Sequence, residues 1–481
     1  MALSAHSPQR VYMAEDVGLC THVEHHQQKL VLFLAAMRSH ADGLREAGID
    51  VHYEHLADDD RTYEQRLGEY CRAEGITSIA TWEIADRFFA ERIATFCEAE
   101  GLTLVQRPSP MFVTPRDHLD GWFSDHRAHM ANFYKWQRRR MEVLVDAHGE
   151  PTGGQWSFDA DNRESLPDDV ALPGVEYAKP TEHVRDVVGL VARRFAHHPG
   201  ELSVDDWWLP TTRAQALTWL GRFVEQRLAT FGPYEDALSD RDPFLFHSVL
   251  TPMLNTGLLT PGEVLDRVLR HAKRHEVPIA SLEGFVRQLI GWREFIRGVD
   301  RAHGEHQAQS NFFGHTRGLT EHWYAATTGL PPLDDVIDKA QRWGWTHHIE
   351  RLMVAANAMT LCEIEPRQAY GWFMELFVDS AEWVMGPNVY GMGIFSDGGT
   401  FATKPYVCGS NYLRKMGHYG KGEWCDVLDG LYWRFIDNNR DFIRGQARLA
   451  QVVGTCDRMK PARRERIFAA AERFLERVTE T

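Results

Sequence analysis

The stretch SIATWEIADRFFAERIATFCEAEGLTLVQ, Ser78 to Gln106, reads as a strand over Ser78–Trp82, a helix over Ala85–Glu100, a glycine stop at Gly101, and a strand over Leu102–Gln106. Strand, helix and glycine in this succession imply parallel strands joined by a crossover helix. The same grammar precedes it. Val11–Glu15 reads as a short strand. Gln27–Ala47 reads as a helix with Leu30, Phe33, Leu34 and Met37 on its apolar face, ending at Gly48. Asp50–Leu56 is a strand, and Thr62–Glu74 is a helix stopped by Gly75. Little sequence precedes Val11, so the sheet is expected to be one strand short.

Beyond Gln106 the grammar changes. Residues 111–205 are irregular, and Pro, Gly and Asp gather from Gly149 to Pro173 as in a surface linker. From Thr212 onward the periodicity is helical: Arg213–Phe231, Pro261–Arg274, Ser281–Val299, His347–Leu361, Arg367–Val384 and Pro461–Thr479. The expected architecture is α/β plus all-α, with an α/β unit over 1–110, a connector over 111–205 and a helical unit over 206–481. The length of 481 residues suits that division.

Composition narrows the function. A net charge of −15 excludes a generically basic nucleic-acid binder but permits a local basic groove. Seven cysteines at irregular spacing, with no CxxC pair, point to a reduced, cytoplasmic protein without a disulfide framework. No apolar run is long enough to span a membrane, and Met1–Arg10 has no apolar core of a secretory leader. No Walker loop, GxGxxG, HExxH or GxSxG occurs.

Several segments could carry chemistry. In His347-His348-Ile349-Glu350-Arg351, His348 and Arg351 share a helix face while His347 takes another bearing. A histidine beside an arginine can act as a general acid; the same residues also read as an ordinary helix start. Trp372–Tyr412 is rich in Gly, Asn and aromatics, which suits a functional loop better than plain core. Within it, Asp379 could pair with Arg351 across helices. Asp159, Asp161 and Arg163 could help hold a divalent ion, or be only a loop. Arg138-Arg139-Arg140 could meet phosphates or solvent. Gly284–Phe295 reads as a packed amphipathic helix.

Taken together, the blocks GGQWSFDADNR (Gly153–Arg163), FVRQLIGWREFIRG (Phe285–Gly298), HHIERLM (His347–Met353), PNVYGM (Pro387–Met392) and TKPYVCGSNY (Thr403–Tyr412) resemble the cryptochrome/photolyase family, in particular its bacterial (6-4) photolyase branch. The resemblance spans nearly the whole chain. It implies an antenna-type α/β domain, a helical domain holding FAD, and light-driven repair of (6-4) photoproducts in UV-damaged DNA. It implies that Arg351 and Asp379 pair beside the flavin ring. His247, Ser248, Leu250 and Thr251 would wrap the diphosphate and ribityl chain. Gln288, Trp292 and Arg293 would lie against flavin and lesion. His348, preceded by His347, would protonate the lesion, with Tyr406 and Tyr412 beside it. Asp236, Asp159 and Arg163 would form a lesion-side cluster able to use Mg²⁺ at the two aspartates. Trp372 would stand nearest the flavin in an electron relay continued by Tyr324, beside Trp323, with Phe373 where the branch often has Tyr.

Departures qualify the resemblance. The branch holds an iron–sulfur cluster on four cysteines. Here Pro332, Gly420 and Glu423 stand at the matching places and leave Cys425 alone, with Cys408 and Cys362 at unsuitable spacings, so no cluster is expected. The opening strand and its Gly-Asp-Gln turn have no counterpart, and Leu19 and His22 replace antenna-contacting residues. The lumazine antenna site is therefore expected to be empty or poorly occupied. Met385 replaces a polar residue near the flavin. These changes leave two other functions open: a cryptochrome-like photoreceptor acting on a protein partner, or a flavoenzyme turned to a small-molecule substrate.

Overall fold

A computed structural model describes residues 10–56, 61–446 and 449–480. The leader reading of Met1–Arg10 falls almost wholly outside these residues. The α/β unit is built as two βαβ pairs. Strand β1 (Arg10–Ala14) pairs in parallel with β2 (Asp50–Glu54), placing Val11 opposite Val51. Strand β3 (Ser78–Trp82) pairs in parallel with β4 (Thr103–Arg107), placing Ile79 opposite Leu104. The expected single sheet is thus two separate pairs among the described residues. The helix Tyr63–Glu74 starts in a capping box between Thr62 and Gln65 and ends at Gly75, whose φ of 64° suits glycine.

The connector is more ordered than its sequence suggests. It holds the helices Arg116–Asp125, Met130–Met141 and Glu182–Arg194. Nor is Gly149–Pro173 a purely surface linker: Phe158 and Asn162 within it are buried. The α/β unit shares a core with the helical unit. Leu30, Val31 and Leu34 of the helix Gln27–Glu46 pack with Val184, Val187, Trp208 and Leu220. A second core surrounds Trp323, Trp372, Phe377 and Tyr390.

Three expected helices are interrupted. The rod expected over Ser281–Val299 runs from Ile279 to Gln309, but its middle, Arg287–Trp292, widens to a π-turn. Glu350–Ala356 and Pro387–Gly393 widen in the same way. The three π-turns fall on three of the quoted sequence blocks, and such bulges concentrate at functional sites. Glycine permits the tight packing there: a Cβ on Gly391 would stand 2.4 Å from Phe401 and 2.6 Å from Gln307. The helix expected over Arg367–Val384 stops at Leu376 and resumes at Glu382. Tertiary partners replace its ladder in the gap, with the Val378 N–H donating to the Gly344 carbonyl at 2.9 Å. Among the described residues no helix is long and apolar enough to cross a membrane.

Candidate functional site

The break at Phe377–Ala381 presents Asp379. Arg351, on the π-turn, grips its carboxylate with two N–H groups at 3.0 and 3.3 Å, and its guanidinium lies 4.0 Å above the Phe377 ring. The Thr251 hydroxyl donates to the same carboxylate at 2.6 Å, and Asn255 donates to the Asp379 carbonyl at 2.7 Å. Arg293 donates to the Asn255 side chain at 2.8 Å and stacks 4.7 Å over Trp383. Trp292 donates to Asn388 at 3.1 Å. Leu250 is buried just before the short helix Thr251–Asn255, and the Ser248 carbonyl accepts from the Trp219 indole. Arg351, Asp379, Thr251 and Arg293 thus form one connected anchor.

Polar groups at and beside this anchor are left with hydrogen-bonding capacity. The Nε of Arg293, the hydroxyl of Thr346 and the Nε2 of His247 are buried without a hydrogen-bond partner. Burial pulls the Arg293 guanidinium down to about 10, with the charge of Glu294 pulling it partly back up. A buried cation of this kind calls for an anion. An FAD, with its diphosphate and reducible ring, fits that donor set.

A second constellation lies beside the first. His247 and His347 stack face to face, 4.8 Å apart, and His348 meets His247 edge-on at 5.7 Å. The sequence placed His347 on another helical bearing. In fact it precedes the helix, so the 100° step does not apply, and it lies inside the cluster. Burial, reinforced by the charges of His348, Lys339 and Arg351, holds His347 well below the ordinary imidazole value. Burial and the neighbouring His347 and His348 do the same to His247. Both rings of the stack are therefore neutral near pH 7. His348 behaves oppositely. Burial works against its charge, but the hydrogen bond to Asp236 at 3.2 Å and that carboxylate's charge raise its pKa above the usual value. Its side chain remains about half exposed, at 47%.

Asp236 continues into a polar network. Arg163 lies 3.9 Å from Asp236 and is hydrogen-bonded to Asp159. Arg287 lies 3.5 Å from Asp159 and 3.3 Å from Glu235, which accepts from Gln288 at 2.6 Å. Asn162 also donates to Glu235, at 3.1 Å. Arg163 occupies the place where Asp159 and Asp236 could have shared Mg²⁺. The carboxylates already have a cation between them, so the arrangement does not fit a resident metal. Tyr412 is lifted to about 12 by burial and then by the Asp236 charge, and it remains a protonated phenol. Tyr406 sits farther along the loop, with the Lys404 ammonium 5.9 Å from its ring centre.

Trp372 is fully buried and donates to the Trp323 carbonyl at 2.9 Å. Its ring meets Phe377, the ring under Arg351, at 5.8 Å. Tyr324 donates to Glu375 at 2.7 Å. Sequence reasoning missed Glu235, Arg287, Asn255 and Lys29. Glu235 and Arg287 directly precede the named Asp236 and Gln288. Lys29 is a lone cation at the head of the apolar run LVLFLAAM.

Residues 2–207 match the family described as deoxyribodipyrimidine photo-lyase-related protein, and residues 285–420 match the FAD binding domain of DNA photolyase. The chain is 31% identical over 482 residues to the (6-4) photolyase of Agrobacterium fabrum, covering 97% of this chain and 94% of that protein. The chain belongs to the cryptochrome/photolyase family. Solved members of the family share its fold. A class III photolyase from Agrobacterium tumefaciens aligns with a TM-score of 0.53 at 16% identity, covering 99% of each chain. The cryptochrome of Synechocystis sp. PCC6803 aligns at 0.55 and 12% identity, covering 97% of this chain and 92% of that one.

Proposed function

We propose that this family member repairs (6-4) photoproducts in UV-damaged DNA, with FAD at the Arg351–Asp379 anchor and His348 as the proton donor. The observation that carries the reading is the setting of His348: half exposed, its pKa raised, and held by Asp236 through Nε2. That bond leaves Nδ1 to deliver a proton to the lesion hydroxyl, and Asp236 then favours recharging of the ring. Bound reduced FAD would supply the light-driven electron. The protein's own residues do the rest. Arg351 places a cation at the flavin, and Asp379, gripped also by Thr251, keeps Arg351 from turning away. The neutral His247–His347 stack gives the lesion pocket an uncharged wall, so His348 is its proton source. Tyr412, protonated near pH 7, is a second hydrogen-bond donor on the lesion side. Arg163 and Arg287 hold the acidic residues that would otherwise repel a DNA phosphate.

The same reading assigns FAD without an iron–sulfur cluster or a resident lumazine. Cys362, Cys408 and Cys425 are each buried in the helical core. Among the described residues, the cluster of three potential metal ligands is His247, His347 and His348, with no cysteine in it.

A gel-shift with lesion-bearing and undamaged oligonucleotides, followed by blue light and product analysis, tests the function. Preferential binding of the lesion and its conversion only in light are expected. Binding without conversion would favour a photoreceptor role instead.

A further inference from the structure

The segment that presents Asp379 is held on its other side by the α/β unit. Lys29, on the helix Gln27–Glu46, is buried and donates to the Ser380 hydroxyl at 2.8 Å, while His25 lies 3.1 Å from its ammonium. Ser380 in turn donates to the Met374 carbonyl at 2.8 Å. Two residues on, the helices Arg87–Ala99 and Glu382–Gly386 meet end to end and cap each other. The Phe88 N–H donates to the Glu382 carboxylate at 3.2 Å, and the Trp383 N–H donates to Asp86 at 3.3 Å. Arg87 reaches Asp300 at 3.4 Å across the same seam.

A buried ammonium needs a reason to be there, since desolvating it is costly. Burial pulls Lys29 down to about 8, with the carboxylates of Asp86 and Asp379 pulling it back up. Its hydrogen bond falls on the residue next to Asp379, in the gap where the helix ladder has been given up. Trp383, capped from Asp86, carries the ring on which Arg293 stacks. Both arms of the anchor, Asp379 and Arg293, therefore lean on contacts from the α/β unit.

We infer that Lys29 and Asp86 are positioning residues for the flavin pocket, so that the α/β unit, whatever it does as an antenna domain, sets the affinity and potential of a flavin bound to the helical unit. This rests on reading Arg351–Asp379 as the flavin anchor. The mechanism is local. With the Lys29–Ser380 bond gone, Phe377–Ala381 loses its fixed outer side, and Asp379 can no longer hold Arg351 in one orientation.

The test uses the full-length, flavin-loaded protein and three readouts: the FAD dissociation constant, the flavin midpoint potential, and the visible circular dichroism of the bound flavin. Lys29→Met and Ser380→Ala should each weaken FAD by at least about 10-fold, the equivalent of one hydrogen bond to a charged group. The double variant should be little worse than the worse single one, because both remove the same bond. Asp86→Ala should weaken FAD, and Asp86→Asn, which still accepts from Trp383, should restore it. Shifted circular dichroism and potential should accompany the loss. Should Lys29→Met fail to fold, Ser380→Ala decides alone. A Ser380→Ala protein with wild-type affinity, potential and dichroism overturns the inference, as does a lowered melting temperature with flavin binding unchanged. Arg351→Ala separates the two layers. If it keeps full FAD, the anchor reading itself fails. If it loses FAD while Lys29→Met and Ser380→Ala keep it, the positioning inference alone fails.

Discussion

The anchor around Asp379 and the histidine cluster around His348 lie side by side and are built on opposite rules. Asp379 accepts from Arg351 and Thr251 through its carboxylate and from Asn255 through its carbonyl. In the cluster, both ring nitrogens of His347 and the Nε2 of His247 are buried without a hydrogen-bond partner, and of three neighbouring imidazoles only His348 has a raised pKa. A group that must hold still is over-determined. A group that must pass a proton is kept distinct from its neighbours in pKa, because like charges so close would suppress one another. Under the proposed function, one region fixes a cofactor while the other leaves one residue chemically free.

That contrast is broken most forcefully at the anchor. Arg351→Ala leaves Asp379, whose side chain is only 7% exposed, without its cation. A stability loss of about 3–5 kcal/mol is expected, together with a fall in FAD occupancy, read by melting temperature and flavin absorbance. An unchanged melting temperature with full FAD would refute the placement of this pair. On the other side, His348→Asn should keep FAD and lesion binding while illuminated repair falls at least ~100-fold, the scale for removing a general acid. If both binding and repair are lost together, His348 belongs to the holding region and the contrast is wrong.

A smaller effect sharpens the anchor. Thr251→Val deletes one of the bonds to Asp379 and should cost about 1.5 kcal/mol, the low end for a charged acceptor, because Arg351 still grips the carboxylate. A loss as large as that of Arg351→Ala would mean Thr251, not Arg351, is the dominant partner. The smallest effects are the pH limbs of stability. His247 and His347 have folded pKa values below the unfolded one. Their contribution is therefore complete above about 6.5 and declines as pH falls below it. His348 has a raised folded pKa, so its contribution is complete below about 6.5 and is lost as pH rises through the folded value. Thermal melts from pH 5 to 8 should show His347→Leu flattening the acid limb and His348→Asn flattening the alkaline one.

Much of this was legible in the chain. The strand Ser78–Trp82 has the expected bounds, and the helix Gln27–Glu46 differs from its expectation by one residue. Arg351 and Asp379 pair as their residue types suggested. What escaped was set by long-range contacts. A periodic apolar pattern cannot announce a break that tertiary hydrogen bonds stabilise, so Phe377–Ala381 read as helix. A π-turn keeps helical periodicity on either side and leaves no compositional mark. His347 was assigned a bearing that holds only inside a helix. Arg163 reads from its spacing as a possible helper of a metal ion, and in the structure it lies between Asp159 and Asp236. Lys29 was hidden because a lysine in a helix is ordinarily solvated, and only the approach of Ser380 from 351 residues away explains its burial.

The central claim is that Asp236 keeps His348 charged so that it can donate a proton to the lesion, and the pH dependence of single-turnover illuminated repair tests it most directly. Repair by the wild type should be greatest at low pH and fall as pH rises through the raised pKa of His348, and in Asp236→Asn that fall should move to lower pH. A profile whose alkaline limb does not move in Asp236→Asn, or a wild type that converts no lesion in light, would contradict it.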